Sequence, residues 1–347
     1  MASQIALSSK HIGILHDADV SLDALNEANR LLQVNHDNWH IFFRDQVKPE
    51  INARVLQQLS DNEDNLSKFL GICDLYSTFL AFFEAEIKNC GWKQVVTCFI
   101  FLRTLLAEKM LIKMYEGMYY SLIYLGLGIE FKQPAIIAEA LAQAATHEDG
   151  YISGLLFSSE TLAEDLERRT AEMISFSAYV AGASQRPARK GKIDFFLMYV
   201  VTSSIFFSIT NKQSWIAMKD RLRLVEWKGR LDLAFYAFCC CPDICSEAII
   251  EYYDDFTEEM DWKQLYAAVN KEHDDGHVAK FIRALRNGEE AAKAYEEGIW
   301  SAYFPVKGDM WLKLARMSLG STRGMPVELK WIIGMGFDEA WAIPDLE

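Results

Sequence analysis

Apolar side chains recur every three or four positions through long, proline-poor stretches of this chain, which is the spacing of helices that each bury one face. Leu22, Leu25, Leu31 and Leu32 predict one such helix, capped by Ser21. In CDLYSTFLAFFEAEIKNCG the apolar face stops at a Cys-Gly exit, and Pro134 stands where a first-turn proline belongs, ahead of AIIAEALAQAA. SSETLAEDLERRTAEMISFSAYVAG opens on serines and acids and closes on glycine, as a helix does. Further helices fit 213–224, 226–240, 243–253, 257–270, 275–287 and 308–320, and alternating polar and apolar runs are scarce. The expectation is an all-α fold, a single large multi-helix domain over 1–347, with a flexible extension at about 1–18 and an exposed basic loop at about 182–192. A hinge between two lobes at that loop is the alternative organisation.

Composition narrows the classes. The 347 residues are 51% apolar, enough for a sizeable core, and the formal charge of −14 opposes binding to nucleic acid, which needs a basic face. The longest uncharged run, Phe195 to Asn211, is shorter than the ~20 residues of a bilayer span and carries five serine and threonine side chains, so it predicts a buried helix. The start of the chain lacks the pattern of a secretory signal, which predicts a cytoplasmic protein. Seven cysteines, three of them adjacent at 239–241, fit neither a disulfide framework nor a CxxC pair; they read as reduced thiols on buried helix faces, and Pro242 predicts a helix break.

Candidate chemistry gathers at two histidine pairs and a tyrosine cluster. His273 and His277 in KEHDDGHVAK stand four apart, as do His36 and His40 in NHDNWHIFF, a spacing that serves metal ligation if the segments are helical. The competing reading is a solvated helix start for the first pair and a core histidine for the second. YYSLIYLGLGIEF combines Tyr119, Tyr120 and Tyr124 with Gly126 and Gly128; with no third glycine and no preceding strand it is not a dinucleotide fingerprint, and its glycines predict close backbone packing or a loop beside a cavity. GxSxG, HExxH and Walker sequences are absent. Aromatics at 13% allow a pocket for a flat polycyclic ligand.

NHDNWHIFFRD, LGLGIEFKQPAIIAEALAQAATHE, KIDFFLMYVVTSSIFF, RLVEWKGRLDLAFYA, HDDGHVAKFIRAL and GFDEAW, in this order from about 20 to 345, resemble the questin oxidase-like family of oxidoreductases. The resemblance implies a Baeyer–Villiger-like ring opening of an anthraquinone-type polyketide in secondary metabolism, without a flavin-binding fold. It also implies iron or another transition metal and NADPH as a soluble reductant. The catalytic set it implies is His40, His277, Tyr120, Tyr124 and Tyr199, with His40, His273, His277 and Lys280 as metal-site candidates and Lys313 in matching surroundings.

Three positions depart from the family pattern. Where members read HPLIHLG, this chain has Tyr120 and Tyr124, and where they carry a further histidine it has Tyr199. About thirty family residues are also expected to be missing after Gln46. Phenols lose their protons only near pH ~10 unless a metal assists, so these replacements point either to phenolate ligation of ferric iron or to tyrosines that orient a hydroxylated substrate. The alternative function is a catalytically degenerate member that binds a polycyclic phenol as a pathway partner. Oligomeric state has no signal in the sequence.

Overall fold

The computed structural model describes residues 50–342 apart from 149, 151, 153–155, 157–164 and 273–275. Among these residues the fold is all-α. No strand is present, and the one β-like contact is an isolated parallel bridge between Asp194 and Ile332. The helices are α1 (Ala53–Asp61), α2 (Tyr76–Cys90), α3 (Trp92–Val96), α4 (Leu105–Tyr115), α5 (Tyr120–Glu130), α6 (Pro134–Thr146), α7 (Leu166–Ala183), α8 (Phe195–Asn211), α9 (Met218–Phe238), α10 (Glu247–Ile250), α11 (Trp262–Val269), α12 (His277–Ala292) and α13 (Met310–Thr322). The expected helix over 21–32 and the extension over 1–18 lie outside the described residues.

Two compact units divide this chain. One comprises 50–164 and 209–228, the other 165–208 and 229–342, so the exposed basic loop does not mark the division. In the first unit α5 and α2 both pack on α6. Pro134 opens α6, where its missing N–H costs nothing because a first-turn N–H has no partner within the helix. Gly128 faces this helix: a Cβ there would come within 2.5 Å of Ile137 Cγ1 and 3.0 Å of Ile137 N. The expected close-packing role of that glycine is therefore met at the α5–α6 contact. Asn52 and Thr104 close the starts of α1 and α4 by accepting from Val55 N and Ala107 N, each at 3.1 Å.

In the second unit α12 packs against α7 and α13. The uncharged run forms α8, whose hydroxyls turn inward on their own helix: Ser203 donates to Val200 O at 3.1 Å and Ser204 to Val201 O at 2.6 Å. Thus a serine-bearing segment is buried without an unmet polar group at these positions, and no described helix is long and apolar enough to cross a membrane.

Several predicted boundaries differ from the structure. The two helices expected over 213–240 are one, α9, because no residue between Leu224 and Glu226 interrupts the backbone ladder. It ends before Pro242 as expected, with Cys240 and Cys241 at φ +65° and +45°. The helix expected over 257–270 shortens to α11, because Asp261 and Gln264 close a reciprocal capping box that sets its start. The cysteine expectation fails for most thiols: all seven are free, yet Cys239 is the buried one and Cys73, Cys90, Cys240, Cys241 and Cys245 are exposed. The 182–192 loop is exposed only at 187–190. Its two ends are buried because Gln185 clasps Lys192 through Nε2 to the carbonyl at 2.7 Å and Oε1 to the amide at 2.9 Å. The Lys192 ammonium is then enclosed, donating to Ser321 O at 2.9 Å and Leu329 O at 2.7 Å.

Candidate active site

Two helices of the second unit bring one predicted pair together. Tyr199 lies one turn into α8, and His277 is the first residue of α12. The Tyr199 hydroxyl and His277 Nε2 are 2.7 Å apart, and either can donate according to the imidazole tautomer. Both side chains are buried. The start of α8 is held by Asp194, which is fully buried: Oδ1 accepts from Phe196 N at 2.7 Å and Leu197 N at 3.2 Å, and Oδ2 accepts from Gly334 N at 2.6 Å and Met335 N at 3.0 Å. The Cys239 thiol donates to Oδ1 at 3.4 Å; burial and this carboxylate push the thiol pKa well up, so it stays protonated.

Aromatic rings enclose the pair. Phe195, one turn before Tyr199, lies edge-on to it at 5.1 Å and to His277 at 5.6 Å between centroids. Trp331 lies edge-on to His277 at 6.4 Å and to Phe281, one turn further along α12, at 6.3 Å. Trp331 carries no local signal in the sequence; only the return of the C-terminal segment to α12 brings it here. Its indole Nε1 is buried and has no hydrogen-bond partner among the described residues.

The other predicted residues are placed as follows. His40 and His273 lie outside the described residues. On the described side of the His273 and His277 pair, α12 begins at His277, after Gly276 at φ +83°. Lys280 is half-buried on α12, three positions after His277. Lys313 is tied elsewhere, donating to Ile250 O at 2.7 Å. Tyr120 and Tyr124 stand four apart on α5 of the other unit, Tyr124 fully buried and Tyr120 partly exposed. That unit has its own aromatic cluster, in which Tyr115 lies edge-on to Tyr119 and Trp227 and the buried Lys228 ammonium sits 4.8 Å from the Tyr119 ring centroid. Tyr115 donates to Leu224 O at 2.8 Å.

No group of three or more His, Cys, Asp or Glu side chains converges among the described residues. Of the metal-site candidates, His277 and Lys280 are described, the imidazole bonded to Tyr199, while His40 and His273 lie outside the described residues. Two open cavities are also present, each within one unit. One of about 430 Å³ is lined by Trp92, Lys93, Lys132 and Lys212, the other of about 650 Å³ by Arg186, Lys190, Glu251 and Tyr252. Neither is lined by Tyr199 or His277.

One histidine that the sequence reading passed over proves structural. His147 Nδ1 lies 2.9 Å from Lys113 O, while Lys113 Nζ donates to His147 O at 2.6 Å. Burial is the main cause that holds this imidazole below its ordinary pKa, with the Lys113 charge adding to it and the hydrogen bond to Lys113 O opposing it. The unfolded chain therefore takes up this proton first as pH falls. Stability contributed by neutral His147 is present above about pH 6.5 and is lost on acidification from there toward the lower folded value. Urea midpoints measured at pH 7.5 and 5.5 should fall more for the native protein than for His147→Gln; equal falls would remove this role.

Comparison with known proteins agrees with the sequence resemblance over the whole chain. The family model described as questin oxidase-like matches residues 31–165 and 157–285. The Baeyer–Villiger monooxygenase AacuH of Aspergillus aculeatus is 43% identical, covering 100% of this chain and 97% of its own. The Baeyer–Villiger monooxygenase dmxR6 of Cryptosporiopsis sp. is 40% identical over 99% of both chains. A questin oxidase of Aspergillus terreus is 34% identical over 98% of this chain and 97% of its own. The alignment with AacuH has 466 positions against the 347 residues here, so 119 or more of them are gaps in this chain. With full-length similarity to these enzymes and a family match on both sides of α7, this chain belongs to the questin oxidase-like family.

Proposed function

We propose that this protein is an oxidoreductase that inserts one oxygen atom between a ring carbonyl carbon of an anthraquinone-type polyketide and its neighbour, a Baeyer–Villiger oxidation whose ring-expanded lactone opens when a water molecule adds to it. The observation that carries the reading is the buried Tyr199–His277 hydrogen bond inside an aromatic enclosure, in a chain whose relatives are named as Baeyer–Villiger oxidases and questin oxidases. Flat aromatic walls suit a polycyclic substrate, and a phenol bonded to an imidazole supplies a proton relay shielded from bulk water. Such a pair takes a proton from the water that adds to the lactone carbonyl and returns it to the ring oxygen released as the C–O bond breaks. In overall balance, substrate, dioxygen, NADPH and a proton give the oxygenated product, NADP⁺ and water, with NADPH as the reductant.

The test is oxygen uptake by the purified protein with a hydroxylated anthraquinone and NADPH, followed by mass spectrometry under isotopically labelled dioxygen. Oxygen consumption matched to substrate loss, with one labelled oxygen atom in the product, is the expected result. A substrate that binds and is recovered unchanged would overturn the oxygenase reading in favour of a binding protein.

A further inference from the structure

We infer that the indole N–H of Trp331 donates a hydrogen bond to a ring carbonyl oxygen of a polycyclic quinone held beside Tyr199 and His277; the choice of a quinone rests on the Baeyer–Villiger reading. The physical ground is a donor left unmet. Trp331 is 7% exposed and its Nε1 is buried, yet Nε1 has no hydrogen-bond partner among the described residues. A buried donor without a partner forfeits its hydration with no return, so a fold that keeps one has a use for it. Trp341 shows the contrast in the same unit: its buried Nε1 donates to Met335 O at 2.7 Å.

The chemistry of the donor selects the ligand group. An indole N–H only donates, so it discriminates for an acceptor such as a carbonyl oxygen and gives a hydroxyl or hydrocarbon edge less. Its ring stands edge-on to both His277 and Phe281, which places it among the same aromatic walls as the proton relay. A hydrogen bond to the carbonyl oxygen also withdraws electron density from the carbon at which a Baeyer–Villiger reaction begins. Trp331 thereby both positions the quinone and polarises it.

Two water-soluble probes of one ring system separate this role from simple packing: anthraquinone-2-sulfonate, which has ring carbonyls, and anthracene-2-sulfonate, which has none. The native protein should bind the quinone more tightly, and Trp331→Phe should weaken the quinone by roughly five- to tenfold while leaving anthracene-2-sulfonate unchanged. The melting temperature of the variant should not fall by more than a few degrees. A second measurement uses protein labelled with ¹⁵N in its nine indoles. The Trp331 indole proton should move downfield with the quinone and not with the anthracene. Its resonance is assigned by Trp331→Phe or, if that variant unfolds, by contacts with the Phe281 ring. Equal affinity for the two probes, equal loss of both in the variant, absence of binding, or an unmoved indole resonance would overturn the assignment. Quinone binding through the N–H without oxygen uptake would remove the oxygenase reading and leave Trp331 in place; oxygen uptake with an unresponsive N–H would remove only Trp331.

Discussion

Replacing His277 with alanine should lower kcat for oxygen uptake by about 10²–10⁴-fold, the span of a lost general acid–base group, or about 2.7–5.4 kcal/mol of barrier. The argument rests on position. His277 is the first residue of α12, its Nε2 is 2.7 Å from the Tyr199 hydroxyl, and it is buried with the rings of Phe195 and Trp331 packed edge-on against it. Tyr199→Phe keeps the ring and removes the hydroxyl, so it should cost less, about tenfold, with KM little changed. His277→Gln retains a polar side chain that cannot relay a proton at neutral pH and should resemble the alanine variant in kcat while melting close to the native protein. Turnover within threefold of native in His277→Ala would sink the assignment, provided circular dichroism shows the variant folded.

Asp194→Ala should be the most destabilising single change near the site, by about 3–5 kcal/mol. The carboxylate accepts from four backbone N–H groups, two at the start of α8 and two in the segment at 334–335, and from the Cys239 thiol. Alanine strands all of these in a fully buried setting. Asparagine keeps one oxygen acceptor but turns an NH₂ group toward N–H donors, so Asp194→Asn should recover only part of the loss. Because Tyr199 lies one turn beyond this cap, the alanine variant should also lose activity through a displaced phenol. Urea unfolding checks the prediction, and a loss below about 1 kcal/mol would show that water replaces the carboxylate.

These two residues differ in how far sequence reveals them. His277 stands out because the chain has only seven histidines and two of them lie in HDDGHVAK. Tyr199 was legible through the family resemblance, as a phenol at an expected imidazole position. Their contact was not, since 78 positions separate them. Asp194 and Trp331 carried no signal at all. A buried carboxylate that bonds amides 140 residues away looks, in the linear chain, like any acid before a helix. The same limit explains the boundary errors: the capping box that shortens α11 depends on the side-chain geometry of Asp261 and Gln264, whereas apolar spacing alone runs on past it.

By itself the sequence determined most of the longer helices, because helical hydrogen bonds and faces connect residues three or four apart, and chain-local features such as Pro134 and the uncharged run of α8 suffice to specify them. It also determined the family, through ordered strings that local chemistry alone would not demand. Only the tertiary structure decided which thiols are buried, which loop ends are closed, and that Tyr199, His277 and Trp331 share one enclosure. Those contacts join residues scores of positions apart, and their energy comes from burying groups against partners that only the packed helices α8 and α12 and the C-terminal segment bring within reach.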